Sequence, residues 1–234
     1  MSSFSCFTLP RFAAFAASVL AALGTSAVHA QTYDAFTDFS TTNNPNGVWR
    51  SGYTDTLGSS LVLYTQFTSG TFQSWRNPAV TVSGAPEFAR NLGPQAFGVP
   101  TNFLTLHPGS ANQYSVLRFT TAITGTYNVS AQFFVGDSGD TDANILRNSN
   151  AATPVYFAAT TNTNPLYTGT LNLAAGETLD FVVGSKGNYS SDSTPIRITI
   201  TGITAAPEPG GLALVTFGGF GLVGCIALRR RTYA

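Results

Sequence analysis

Three carboxylates fall within six positions in the run Asp137-Ser-Gly-Asp140-Thr-Asp142. Oxygen donors crowded on a glycine-containing loop suit a hard cation, and structural calcium is the expected one. The run does not follow the twelve-residue EF-hand pattern, because no Glu stands at its terminal ligand position. It equally suits a solvated acidic turn, in which Asp and Gly are there for their turn conformations. Asp180 and Asp192 are further acids that only the fold could bring to it. Trp49, Tyr53 and Trp75 offer flat faces of the kind that stack on sugars. The alternative for each is core packing. Tyr189 stands with Lys186 and Asn188 in a Gly/Ser-rich stretch and is expected to be exposed as a ligand contact.

Acid–base and nucleophilic chemistry find little to use. His107 is the one histidine between residues 31 and 206, and Pro108-Gly109 after it marks a turn at a strand end. There is no G-x-S-x-G elbow, no H-E-x-x-H and no second histidine in that span. Cys6 and Cys225 lie outside it, so the span has no disulfide, thiolate zinc site or cysteine nucleophile. A glycosidase pair drawn from Glu87, Glu177 and the Asp residues stays open as the one enzymatic alternative. Glu177 itself follows Ala174-Ala-Gly176, a plain hairpin entry, and the chain is read as non-enzymatic. Residues 31–206 carry seven basic and ten acidic side chains, which excludes the basic stripe of a nucleic-acid binder.

The elements that must position these groups are strands. Short runs of Val, Phe, Tyr, Ile and Thr alternate with Gly, Asn and Pro, and no stretch of the body keeps a convincing 3.6-residue apolar period. Strands are expected near 35–39, 47–53, 60–67, 71–75, 102–106, 114–120, 125–135, 143–146, 155–159, 167–173, 178–183 and 196–203. In Tyr114–Thr120, Val116 and Arg118 share one face, Leu117 and Phe119 the other. In Gly125–Val135, the residues Tyr127, Val129, Ala131, Phe133 and Val135 point inward. The alternation Ile196, Ile198, Ile200 breaks near Gly202. Residues 78–100 read as a long irregular loop or insertion. The fold class is all-β, an antiparallel β-sandwich or jelly roll.

Two address segments flank this body. Arg11 precedes the apolar stretch Phe12–Leu23, and Val28-His29-Ala30 sets small or apolar residues at −3 and −1. Residues 1–30 are therefore expected to be a signal peptide cut by signal peptidase between Ala30 and Gln31, leaving 31–206 as an ectodomain. At the other end, Pro207-Glu208-Pro209 is followed by an uncharged run from Gly210 to Leu228 and then Arg229, Arg230 and Arg231. At 1.5 Å per residue that run is roughly 28 Å of helix, enough to span a bilayer's hydrocarbon core. The arginines should hold the C-terminal end in the cytoplasm and place the body outside.

Residues 207–234 resemble the PEP-CTERM sorting tail of Gram-negative bacteria, with Pro207, Glu208 and Pro209 as the motif, Gly210–Leu228 as the transmembrane helix and Arg229–Arg231 as the basic cluster. The resemblance implies recognition and cleavage by exosortase, passage through an inner-membrane intermediate, and a final place at the cell surface or in an exopolysaccharide or biofilm matrix. The body shows NPNGVW (44–49), LHPG (106–109), SVLRFT (115–120), GTYNVS (125–130), LAAGETLDFVVG (173–184) and DST (192–194). In that order these are similar to a β-sandwich ectodomain that recurs among PEP-CTERM proteins, in the style of carbohydrate-binding-module sandwiches. The resemblance implies extracellular polysaccharide as a partner. Three roles follow as expectations: a non-enzymatic envelope or matrix protein, a calcium-assisted carbohydrate-binding module, or a cryptic glycan hydrolase.

Overall fold

The computed structural model of the chain describes residues 28–78, 80 and 84–205. The expected signal sequence up to residue 27 and the expected sorting tail from residue 206 lie outside the described residues. The compact unit Ala30–Thr204 is built from strands, with no helix among the described residues.

In chain order the strands are β1 (Val28–Asp34), β2 (Trp49–Thr54), β3 (Val62–Leu63), β4 (Gln66–Thr68), β5 (Phe72–Arg76), β6 (Glu87–Asn91) and β7 (Phe103–His107). There follow β8 (Tyr114–Thr120), β9 (Gly125–Phe133), β10 (Asp142–Arg147), β11 (Tyr156–Ala158), β12 (Leu166–Leu173), β13 (Thr178–Gly184) and β14 (Thr194–Ala205). One sheet runs β12-β9-β14-β7-β6-β5-β4, with β1 also paired to β14, and the other runs β11-β10-β13-β8-β2-β3. The ladders from β4 to β12 and from β3 to β11 are antiparallel. The molecule is a β-sandwich, as the alternating strands require.

The period-2 pattern decides which side chains enter the core. In β9, Tyr127, Val129, Ala131 and Phe133 are buried while Asn128 and Ser130 face out. Ile196, Ile198 and Ile200 of β14 join them from the neighbouring strand. From the opposite sheet come Leu117, Phe119, Ile145, Leu179 and Phe181, all in the same cluster. Phe119 is the hinge of the two layers: Trp49, Tyr33 and Tyr127 meet its ring edge-on at centroid distances of 5.3, 5.1 and 6.0 Å. Such edge-to-face pairs add about 0.5–1.5 kcal/mol each beyond their burial.

Three sequence expectations are corrected. Val135 is exposed, because β9 ends at Phe133 and the chain leaves the sheet. Residues 35–38 form a turn, with Asp34 Oδ1 accepting the N–H groups of Phe36 and Thr37. The first strand lies before that turn, so the expected Ala30–Gln31 junction falls inside β1. The segment 78–100 is not wholly irregular, since it contains β6 in the middle of the larger sheet.

Candidate functional site

The groups that sequence marks for chemistry do not converge as their spacing suggests. Asp140 Oδ2 accepts from Lys186 Nζ at 2.5 Å, and Oδ1 accepts from Thr160 Oγ1 at 2.5 Å. These bonds hold its carboxyl below the usual range. Asp142 Oδ2 accepts from Asn144 Nδ2 at 2.8 Å, while burial pushes its carboxyl up. The expected Asp137–Asp140–Asp142 trio is thus divided, with two of its members turned to partners of their own. Among the described residues no group of three His, Cys, Asp or Glu side chains stands close enough to share a metal.

Asp137 instead meets a residue that lies far away in sequence. The loop between β9 and β10 is laid against the segment entering β14. A Cβ on Gly136 would stand 1.7 Å from the carbonyl oxygen of Ser193, and one on Gly139 would stand 2.1 Å from Asp192 Oδ1. Only glycine permits this approach at either position. The Gly139 N–H donates to Ser191 O at 2.8 Å and clasps the two segments. Gly98 lies against the backbone of Gly136 and Asp137 from a third loop.

Asp192 is 1% exposed, and neither of its carboxylate oxygens has a hydrogen-bond partner. Burial comes first among the causes that push its carboxyl up to about 7, followed by the negative charges of Asp137 and Asp140. Asp137 Oδ1 is also buried without a partner. Burial raises the Asp137 carboxyl too, opposed by His107 and by the N–H groups of Gly139 and Ser193. His107 places Nδ1 2.7 Å from the carbonyl oxygen of Pro108, the turn role its sequence context suggested. A carboxylate as enclosed as Asp192 has no path to a glycosidic oxygen, so this pair does not form a hydrolase cleft.

The aromatics have structural work. Trp49 and Trp75 are 5% and 6% exposed, and their indole N–H groups donate to Asp38 Oδ2 at 3.0 Å and Ser40 O at 2.8 Å. They pin the loop before β2 and show no face to solvent. Tyr53 packs beside Tyr64. Tyr189 is half-buried, its ring lying on Gly84.

A second surface, on the larger sheet, is polar and carries no aromatic. Asn128, Ser130, Thr168, Thr170, Thr199 and Thr201, on β9, β12 and β14, border an open, shallow depression of about 470 Å³. Thr170 Oγ1 donates to Asn128 Oδ1 across the ladder at 2.8 Å. Sequence did not single out this face. The signal was there in the outward set of the same alternation that defines the core.

No protein-family model matches the sequence, and no curated protein matches it. Among solved structures, the chain is similar to a β-(1,4)-mannanase from Podospora anserina with GH26 and CBM35 parts, at 15% identity and a TM-score of 0.30. That match covers 77% of this chain and 29% of the mannanase, so the chain spans less than a third of that enzyme. It is also similar to a family 35 carbohydrate-binding module from Clostridium thermocellum, at 10% identity over 76% of this chain and 98% of the module, with a TM-score of 0.27. A cyclase from Fischerella sp. TAU matches at 9% identity over 63% of this chain and 92% of its own, with a TM-score of 0.33.

Proposed function

We propose that the chain is a non-enzymatic exported β-sandwich protein of the cell envelope or extracellular matrix. Signal peptidase removes residues 1–30, the run Gly210–Leu228 holds the intermediate in the inner membrane, and exosortase cuts near Pro207-Glu208-Pro209. The observation that carries this reading is the tail: motif, uncharged span and three arginines stand in the order and spacing such a signal needs. Replacing Arg229, Arg230 and Arg231 with neutral residues tests it. Pulse-chase of the variant is expected to show uncut precursor or inverted topology. Unchanged processing and topology would refute the scheme.

The open polar face favours a second reading, that of a carbohydrate-binding module acting on exopolysaccharide. Threonine hydroxyls and an asparagine amide can exchange hydrogen bonds with sugar hydroxyls along a strand direction. Thr168→Val with Thr170→Val keeps the β-branched shape and removes two hydroxyls. At about 1 kcal/mol per hydrogen bond, affinity for the producer's own exopolysaccharide should fall on the order of tenfold or more. Equal binding by the double variant would remove this face from consideration.

A further inference from the structure

Two carboxylate-bearing segments meet at the β9–β10 loop, and three of their buried oxygens have no partner in the protein. Asp192 is 1% exposed with both oxygens unpartnered, and Asp137 contributes a third buried, unpartnered oxygen, Oδ1. Both segments approach so closely that Gly136 and Gly139 leave no room for a side chain. The carbonyl oxygens of Ser191 and Ser193 line the same contact. Of the neighbouring basic groups, Lys186 is taken by Asp140, and His107, near Asp137, holds its Nδ1 on Pro108 O. Buried carboxylates are expected to be paired with a cation or to coordinate a metal.

We propose that Asp137 and Asp192 are the side-chain ligands of one calcium ion that staples the β9–β10 loop to the start of β14. The donor set is all oxygen, which selects hard divalent ions over those that prefer nitrogen or sulfur. Calcium accepts carboxylates mixed with backbone carbonyls in irregular geometry, whereas magnesium demands a near-ideal octahedron and keeps its waters. The ligands come from positions 137 and 192, so the ion joins chain segments that no disulfide can join in a body without cysteine. The inference stands apart from the sorting scheme and from glycan binding, and holds or fails without either.

Thermal unfolding of the full chain in detergent, stripped with EGTA and then titrated with calcium, tests the site. At about a hundred times its dissociation constant, calcium should raise Tm by on the order of 5 °C. Calorimetric titration should give one ion per chain. Asp192→Asn and Asp137→Asn should each abolish both signals. Asp140→Asn, outside the pair, should keep them. If Asp192→Asn does not fold, the contrast between Asp137→Asn and Asp140→Asn decides the matter. No calcium-dependent shift in the unaltered chain would overturn the proposal and leave a proton as the group that neutralises the pair. An equal shift in Asp137→Asn would overturn it as well.

Discussion

Trp49 lies edge-on to Phe119 and donates its indole N–H to Asp38. Its truncation therefore removes core, not a binding face. Trp49→Ala should cost about 3–5 kcal/mol in urea denaturation, whereas Trp49→Phe, which keeps an aromatic ring in the core but not the indole N–H, should leave exopolysaccharide binding unchanged. Loss of binding by a stably folded Trp49→Phe would restore the stacking role. Asp180 gives a second residue-scale prediction. It is 3% exposed and takes both Nε and Nη2 of Arg118, at 2.5 and 2.8 Å, with Ser149 bonded to the same carboxylate. Asp180→Ala strands the guanidinium in a mostly enclosed position and should cost about 3 kcal/mol, read by the same denaturation. Residue type alone did not predict either role. A tryptophan reads the same whether its face is free or covered, and Asp180 became structural only when β8 and β13 set Arg118 opposite it.

At the level of elements, the turn between β12 and β13 is tied by Glu177. Its carboxylate accepts from Arg147 Nε at 2.9 Å, from Asn148 Nδ2 at 2.8 Å and from the Ala174 N–H at 2.8 Å. The Arg147 guanidinium is the largest cause that brings its carboxyl down to about 2, from an ordinary 4.5. A depressed acid contributes stability above its unfolded value and loses it as pH falls through the folded one. The contribution of Glu177 should therefore be whole above pH 4.5 and vanish between 4.5 and 2. Glu177→Gln should flatten that part of the stability–pH curve, measured by thermal melts in acid, and an unchanged acid limb would refute the pairing. The β9–β10 loop gives a steric counterpart: Gly136→Ala sets a methyl onto Ser193 O and should destabilise by about 2 kcal/mol or more. Most strands were legible because β9 and the first half of β14 alternate apolar with polar residues, and β8 and β13 are short runs of strand-forming residues bounded by turn formers. β6 was not: Glu87-Phe-Ala-Arg-Asn91 holds one large apolar residue, and Arg90 is accommodated by lying over the Phe39 ring at 4.6 Å from its centroid. The divided acidic trio was illegible for a related reason. Local spacing cannot show that Asp140 turns to Thr160 and Lys186 and Asp142 to Asn144, while Asp137 lies against a segment fifty-five positions on.

For the whole molecule, the fold class was legible in the sequence. The sandwich followed from strand periodicity and from turn residues such as Pro, Gly and Asn. The polar face on β9, β12 and β14 went unnoticed, since outward Thr and Ser look like ordinary solvent-facing positions until three strands bring them side by side. The sorting proposal rests on segments outside the sandwich, so its test must follow the covalent fate of the chain. That test is the intact mass of the protein recovered from the surface or medium of the cells that make it. The account predicts a mass beginning at Gln31 and ending near Pro207. A mass that still includes Arg231 would mean a simple membrane anchor and would contradict the exosortase assignment, together with the matrix role inferred from it.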